Sequence, residues 1–181
     1  MVPDLLNRCV LNKKTYRKGM TRMLRPRICL LLILTLVTLG LAFYYTIRFL
    51  PQKDLTLNIL AAIMYWLAAV LAASAMNLAP RAVKLQIRRL KETYQVSEYE
   101  SLFTFLPKEI LGQNSLSENR LHLSYDSVKK LLPCKGLILL CSRSKVVYTL
   151  DAARFENGTE ADFWRLMSEK CPKAVPKKYR V

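Results

Sequence analysis

Two runs without a single Asp, Glu, Lys or Arg dominate the first half of the chain, at residues 28–47 and 55–79. A helix rises about 1.5 Å per residue, so a run the length of the first covers about 30 Å, the hydrocarbon thickness of a bilayer. Its polar atoms are confined to Thr35, Thr38, Thr46 and the hydroxyls of Tyr44 and Tyr45, and a threonine can bond back to its own helix. The second run is rich in alanine. Ala68 with Ala72, and Ala69 with Ala73, place small residues four apart, a spacing that lets a neighbouring helix approach closely. Only Arg48 to Asp54 joins the two runs, which predicts an antiparallel hairpin. A cleaved signal peptide has a shorter apolar region followed directly by soluble sequence. A soluble protein of this size has no interior large enough to hide two such runs. The pattern therefore predicts two transmembrane helices, 28–47 and 55–79.

After Pro80 the pattern changes to one of two faces. Arg81, Lys84, Arg88 and Lys91 recur along one side of a helix, and Val83, Ile87, Leu90 and Tyr94 along another. This predicts a juxtamembrane amphipathic helix over 80–95 whose basic side meets anionic headgroups, each cation contributing about 1 kcal/mol near such a surface. A topology signal with a solvated helix face accounts for the same residues, because basic flanks are the norm on the inner side of a membrane helix.

From about Tyr99 the period shortens to two. Leu102–Leu106 reads as a strand, and Leu121, Leu123 and Tyr125 alternate with Arg120, His122 and Ser124. Leu137–Cys141, a polar turn and Val146–Leu150 read as a β-hairpin. Asn157-Gly158 marks a turn, Thr159 caps a final helix with Asp162 in its first turn, and Phe163, Leu166 and Met167 form that helix's buried stripe. The expected domain is α+β, a small antiparallel barrel or curled sheet with a helical plug.

The strand at Leu102–Leu106, the segment Tyr125-Asp126-Ser127-Val128-Lys129-Lys130, the hairpin at 137–150, Phe155, and Thr159 with Phe163 and Leu166 follow one another in an order that resembles the C-terminal domain of YcxB-like bacterial membrane proteins. The resemblance spans residues 28 to 171. It implies two membrane helices in a bacterial inner membrane and a cytoplasmic domain like a pleckstrin-homology (PH) barrel, and it implies no reaction. The organisation expected is a basic N-terminal segment at 1–27, the hairpin at 28–79, the basic helix at 80–95, a YcxB-like, PH-like domain at 96–171 and a basic tail at 172–181.

The net charge of +16 over 181 residues would ordinarily suggest nucleic-acid binding. Residues 1–27 carry eight basic residues and one acidic, residues 28–91 seven and one, and residues 92–181 fourteen and eleven. The excess therefore flanks the apolar runs, where membrane topology explains it, and no nucleic-acid partner is expected. Arg17, Lys18, Arg22, Arg25 and Arg27 precede the first run and Arg81, Lys84, Arg88, Arg89 and Lys91 follow the second, whereas the connecting loop holds Arg48 and Lys53. The positive flanks place both termini in the cytoplasm of a multi-pass cell-membrane protein.

Little catalytic chemistry is legible. Cys9, Cys29, Cys134, Cys141 and Cys171 have no C-x-x-C spacing and read as reduced thiols. His122 lacks neighbours at ligand spacing and reads as a rim residue. No nucleophile elbow, phosphate loop, zinc-protease or dinucleotide motif is present, so neither an enzyme nor a metal or cofactor site is expected. Asn58 and Asn77 lie near the ends of the second run, and no ionisable residue marks a transport path. Asn157-Gly158-Thr159 matches a glycosylation sequon that cytoplasmic placement leaves unused.

Two functions are compatible with this. The first is a membrane-tethered binding module in which Arg22, Arg25, Arg27, Arg81, Lys84, Arg88 and Lys91 face anionic lipid and the domain docks a protein segment or headgroup. The second is an accessory subunit of a larger membrane complex, packed through Ala68, Ala69, Ala72 and Ala73.

Overall fold

The computed structural model describes residues 4–49 and 55–180, apart from the side chains of Phe49, Glu118 and Asn119. Residues 50–54 of the connecting loop, Lys53 among them, lie outside the described residues. The chain divides into two compact units. Met20–Leu85 forms one, and the segment through Gly19 joins Gln86 onward to form the other. The N-terminal segment expected as a separate basic arm is thus divided, and its first part belongs to the β domain.

In the domain unit, Leu5–Leu11 (β1) pairs antiparallel with Tyr99–Phe105 (β2) along its full length, from Leu5 opposite Phe105 to Leu11 opposite Tyr99. Glu109–Asn114 (β3) and Ser117–Ser124 (β4) extend the sheet on one side and the short Phe155–Glu156 (β8) on the other, giving the order β4-β3-β2-β1-β8. A second sheet has the order β5-β6-β7, from Val128–Cys134, Leu137–Ser142 and Val147–Asp151. The two are separate sheets and do not close into a barrel, which corrects the barrel expected from sequence. Antiparallel pairing and a C-terminal helix stand as expected.

Local chemistry explains the connections. Lys135 and Gly136 both adopt positive φ, 34° and 82°, as the two-residue turn between β5 and β6 requires. The N–H of Leu131, on the side of β5 away from β6, donates to the Ala174 carbonyl at 2.9 Å. Pro133, two residues on, points its missing donor to that same free side, which is where an edge strand tolerates proline. Glu160–Lys170 (α3) starts in a full capping box between Thr159 and Asp162.

Phe163 of α3 is fully buried and meets the rings of Phe105, Phe155 and Trp164, each at a centroid distance of 5.2 Å. Leu5, Ile110, Leu131, Ile138, Leu140, Leu150 and Met167 complete the core from both sheets and the helix. Residues 172–180, expected as a basic tail beyond the domain, strap it. Ala174 and Val175 are buried, and Tyr179 stacks on Trp164 at 4.3 Å. Their cations Lys173, Lys177, Lys178 and Arg180 remain exposed.

The other unit holds most of two long helices, Lys13–Phe49 (α1) and Leu55–Tyr94 (α2). At about 1.5 Å per residue these run about 55 and 60 Å, far beyond a hydrocarbon core. The basic stretch expected as a distinct helix over 80–95 is the continuation of α2, with Pro80 inside it. Pro26 sits correspondingly inside α1. Each proline forfeits one helical hydrogen bond, and both stand where a charge-free run meets its basic flank.

Candidate functional site

The seven cations singled out from sequence lie on the basic ends of the two helices. Arg25, Arg27, Arg81, Lys84, Arg88 and Lys91 are exposed and Arg22 is half-buried. Among the described residues, Arg88 alone of the seven has an ion pair, with Glu92 at 2.6 Å.

The base of α1 is built into the domain unit. Asn12 follows β1 directly and accepts the backbone N–H groups of Lys14 and Thr15 on its side-chain oxygen, capping α1. The Thr15 hydroxyl donates to the Val10 carbonyl at 3.1 Å. The Tyr16 hydroxyl donates to that of Tyr99 at 3.2 Å. Burial, reinforced by that bond, raises the Tyr16 hydroxyl above its ordinary pKa. Gly19 lies so close to Leu139 that an added Cβ would stand 3.3 Å from its methyl. The thiol of Cys134 donates to the Lys18 carbonyl, and the Lys18 ammonium to the Lys135 carbonyl at 3.3 Å.

In the helical unit, Thr35 and Ala42 of α1 and Ala61, Ala68, Ala75 and Ala79 of α2 are buried. The first three alanines of α2 recur every seven residues, the period of a left-handed helix pair. The Thr46 and Tyr65 hydroxyls, 3.3 Å apart, bridge the two helices. Of the four alanines proposed for packing, Ala68 lies in this seam, Ala72 is half-buried beside it, and Ala69 and Ala73 are exposed on another face. The seam was legible as a heptad of alanines, a period the four-residue pairs conceal.

Large apolar side chains are exposed chiefly on the helices. Among the described residues, every exposed large hydrophobic side chain except Val146 belongs to α1 or α2. Both helices are long and apolar enough to cross a membrane, and only 11% and 17% of their most apolar windows are buried. The interior helix of a soluble protein would be mostly buried.

The domain also carries a groove of about 490 Å³ with Leu5, Phe105, Leu106 and Leu166 on its apolar wall and the Asp162–Arg165 ion pair on its rim. No group of three or more metal-ligating side chains occurs among the described residues. All five cysteines are free, and burial pushes the Cys9 thiol up to about 12 and Cys171 up to about 11, so neither forms a thiolate at neutral pH. His122 is exposed and meets Glu109 at 3.0 Å across neighbouring strands. Asn7 is fully buried, and its amide is spent on the Asp151 N–H and the carbonyls of Asp151 and Arg154. No known protein family, characterised protein or solved structure matches the chain.

Proposed function

We propose that the chain is a multi-pass membrane protein of the YcxB-like kind, sited in a bacterial cell membrane with both termini in the cytoplasm, and that it works as a non-catalytic binding module docking a protein segment or anionic lipid. One observation carries the reading. β1 precedes the first apolar helix and β2 follows the second, yet the two strands are paired neighbours in one sheet. A chain that crosses a membrane through these helices would therefore cross it an even number of times and return to the side that holds the domain. Exposed apolar side chains along the helices support crossing, and the basic ends favour the cytoplasm as the domain's side.

A cysteine-free background with Gln52→Cys or Lys177→Cys tests this through labelling of intact cells by a membrane-impermeant maleimide. Labelling at Gln52→Cys alone is expected. Labelling at Lys177→Cys alone reverses the orientation, and equal labelling at both in sealed cells removes the membrane reading. The second reading, an accessory subunit of a membrane complex, is favoured by Ala69 and Ala73, which stay exposed outside the hairpin's own seam. It predicts a co-purifying partner in mild detergent that Ala69→Leu with Ala73→Leu releases.

A further inference from the structure

The charge of the β domain is unevenly placed. Residues 92–126 hold two basic and six acidic residues, 127–150 five and none, and 151–181 seven and five. The middle stretch covers the second sheet, β5-β6-β7, up to its last residue, Asp151, which pairs with Arg154. Four of its five cations come together at one end. Val128 stands opposite Ser142 and Lys130 opposite Cys141, and the Arg143 N–H donates to the Ser127 carbonyl at 2.8 Å. Lys129 and Lys130 are thereby brought beside the turn that carries Arg143 and Lys145, and all four are exposed. Lys135 sits at the sheet's other end, where its carbonyl accepts the Lys18 ammonium. Burial raises the Cys141 thiol, and Lys130 and Lys129 both oppose that rise, so two ammonium groups reach one sulfur. Asp126, the preceding carboxylate along the chain, acts on the Cys171 thiol instead. Among the described residues, Val146 is the one large apolar side chain exposed outside α1 and α2, and it follows Lys145 directly.

We infer that this end of the second sheet docks an acidic polypeptide segment that carries an apolar residue. The inference rests on the binding-module reading above and deepens it, choosing the protein segment over the lipid and naming the surface that takes it. What sets these cations apart is density without a carboxylate, since the rest of the domain mixes the two signs. Several carboxylates along one segment complement such a surface, and an apolar side chain among them covers Val146. A single phosphate fits less well, because a phosphate cradle is made of free backbone N–H groups. Those of the turn are spent: that of Arg143 on Ser127, that of Ser144 on the Ser142 hydroxyl at 3.2 Å, and that of Lys145 on the Ser142 carbonyl at 3.1 Å. A single-stranded nucleic acid needs aromatic platforms between the cations. The one aromatic of the stretch, Tyr148, is packed edge-on against Phe103.

The test uses full-length protein in uncharged detergent and a fluorescein-labelled peptide of glutamates around one leucine, read by anisotropy. Replacing Lys129, Lys130, Arg143 and Lys145 by Gln is expected to weaken binding about ten-fold, as loss of several exposed pairs implies. Replacing Lys108, Arg120, Lys177 and Lys178 by Gln removes as much charge elsewhere on the domain and should weaken it less than about two-fold. Val146→Ser should weaken the leucine-bearing peptide about three-fold and leave an all-glutamate peptide unchanged. Wild-type binding should fall about five-fold or more between about 50 and 200 mM salt. Equal losses in the two four-residue variants, salt-independent binding, or tighter binding of oligouridine at equal salt each overturn the proposal. Phosphatidylglycerol adducts are read in parallel by native mass spectrometry. A wild type that binds this lipid and not the peptide overturns the proposal and leaves the binding-module reading standing, whereas one that binds neither overturns both.

Discussion

The helical hairpin and the β domain solve opposite problems with the same kinds of residue. In the domain, large apolar side chains turn inward: Phe163, Ile110, Leu131, Ile138, Leu140 and Leu150 have no exposed surface. In the hairpin they turn outward, and alanines take the interior, with Leu36, Trp66 and Met76 exposed while Ala42, Ala61, Ala68 and Ala75 are buried. Water rewards the first arrangement because each large side chain withdrawn from it stabilises the fold by about 1.5 to 3 kcal/mol. Lipid removes that drive between helices, and packing of small residues takes its place. The inversion at the ends of the charge-free runs is the pattern that the proposed membrane reading requires of the hairpin.

The largest effect should come from separating what the chain interleaves. The whole hairpin is inserted between two paired strands, so a fragment starting near residue 96 lacks β1, the strand between β2 and β8. That fragment should show no cooperative thermal unfolding. Joining Leu11 to Tyr99 through an Asn-Gly turn, with the hairpin removed, should restore a folded, water-soluble domain with dispersed amide resonances. If the fragment without β1 folds equally well, the two regions are independent and the insertion has no structural consequence. Within the joined domain, Phe163→Ala removes the ring that three other aromatics pack on. It should cost about 3 to 5 kcal/mol by urea titration.

Much of this architecture could be read from the chain alone, and the failures share physical causes. Period-two strands at 102–106 and 121–125, the hairpin at 137–150 and the Thr159–Asp162 cap announced themselves through strong local patterns. The first strand did not, because Asn7 interrupts its buried positions and only the remote backbone of Asp151 and Arg154 makes that amide acceptable. Lys129-Lys130 and Pro133 hid β5, whose edge position permits both. Pairing of Leu11 with Tyr99 is invisible in a local window, since the hairpin separates the partners. The basic cations at the helix ends were legible one by one. That α2 runs unbroken past Pro80 and that the base of α1 is bound into the domain were not.

The hairpin's side of the comparison is sharpened by Leu36→Arg. This side chain is 71% exposed, so in water the change would be harmless or solubilising. At the centre of a bilayer helix it costs about 2.5 to 3.5 kcal/mol on insertion scales. A marked loss of membrane insertion in a microsomal glycosylation assay is expected, and unchanged insertion would count against the first span. Ala68→Leu, at 1% exposure in the seam, should destabilise the hairpin by about 1 to 3 kcal/mol through overpacking. Ala69→Leu should leave the isolated hairpin unchanged, so equal effects in detergent unfolding would place the seam elsewhere.

The smallest effect tests a detail of the domain that both its sequence and its geometry specify. Thr159→Ala removes one half of the capping box at the start of α3 and should cost about 1 kcal/mol. The Thr159 hydroxyl and backbone N–H both donate to Asp162, and these bonds, with a smaller contribution from Arg165, hold its carboxyl below the ordinary value of 3.8. A carboxyl with a lowered folded-state pKa stabilises the fold above its unfolded-state value, and that contribution is lost as pH falls through the folded-state value. The joined domain should therefore lose stability as pH falls below about 4, and the Thr159→Ala variant should lose less over the same interval. Parallel urea midpoints for the two proteins from neutral pH down to about pH 3 would show that the box does not hold the Asp162 charge.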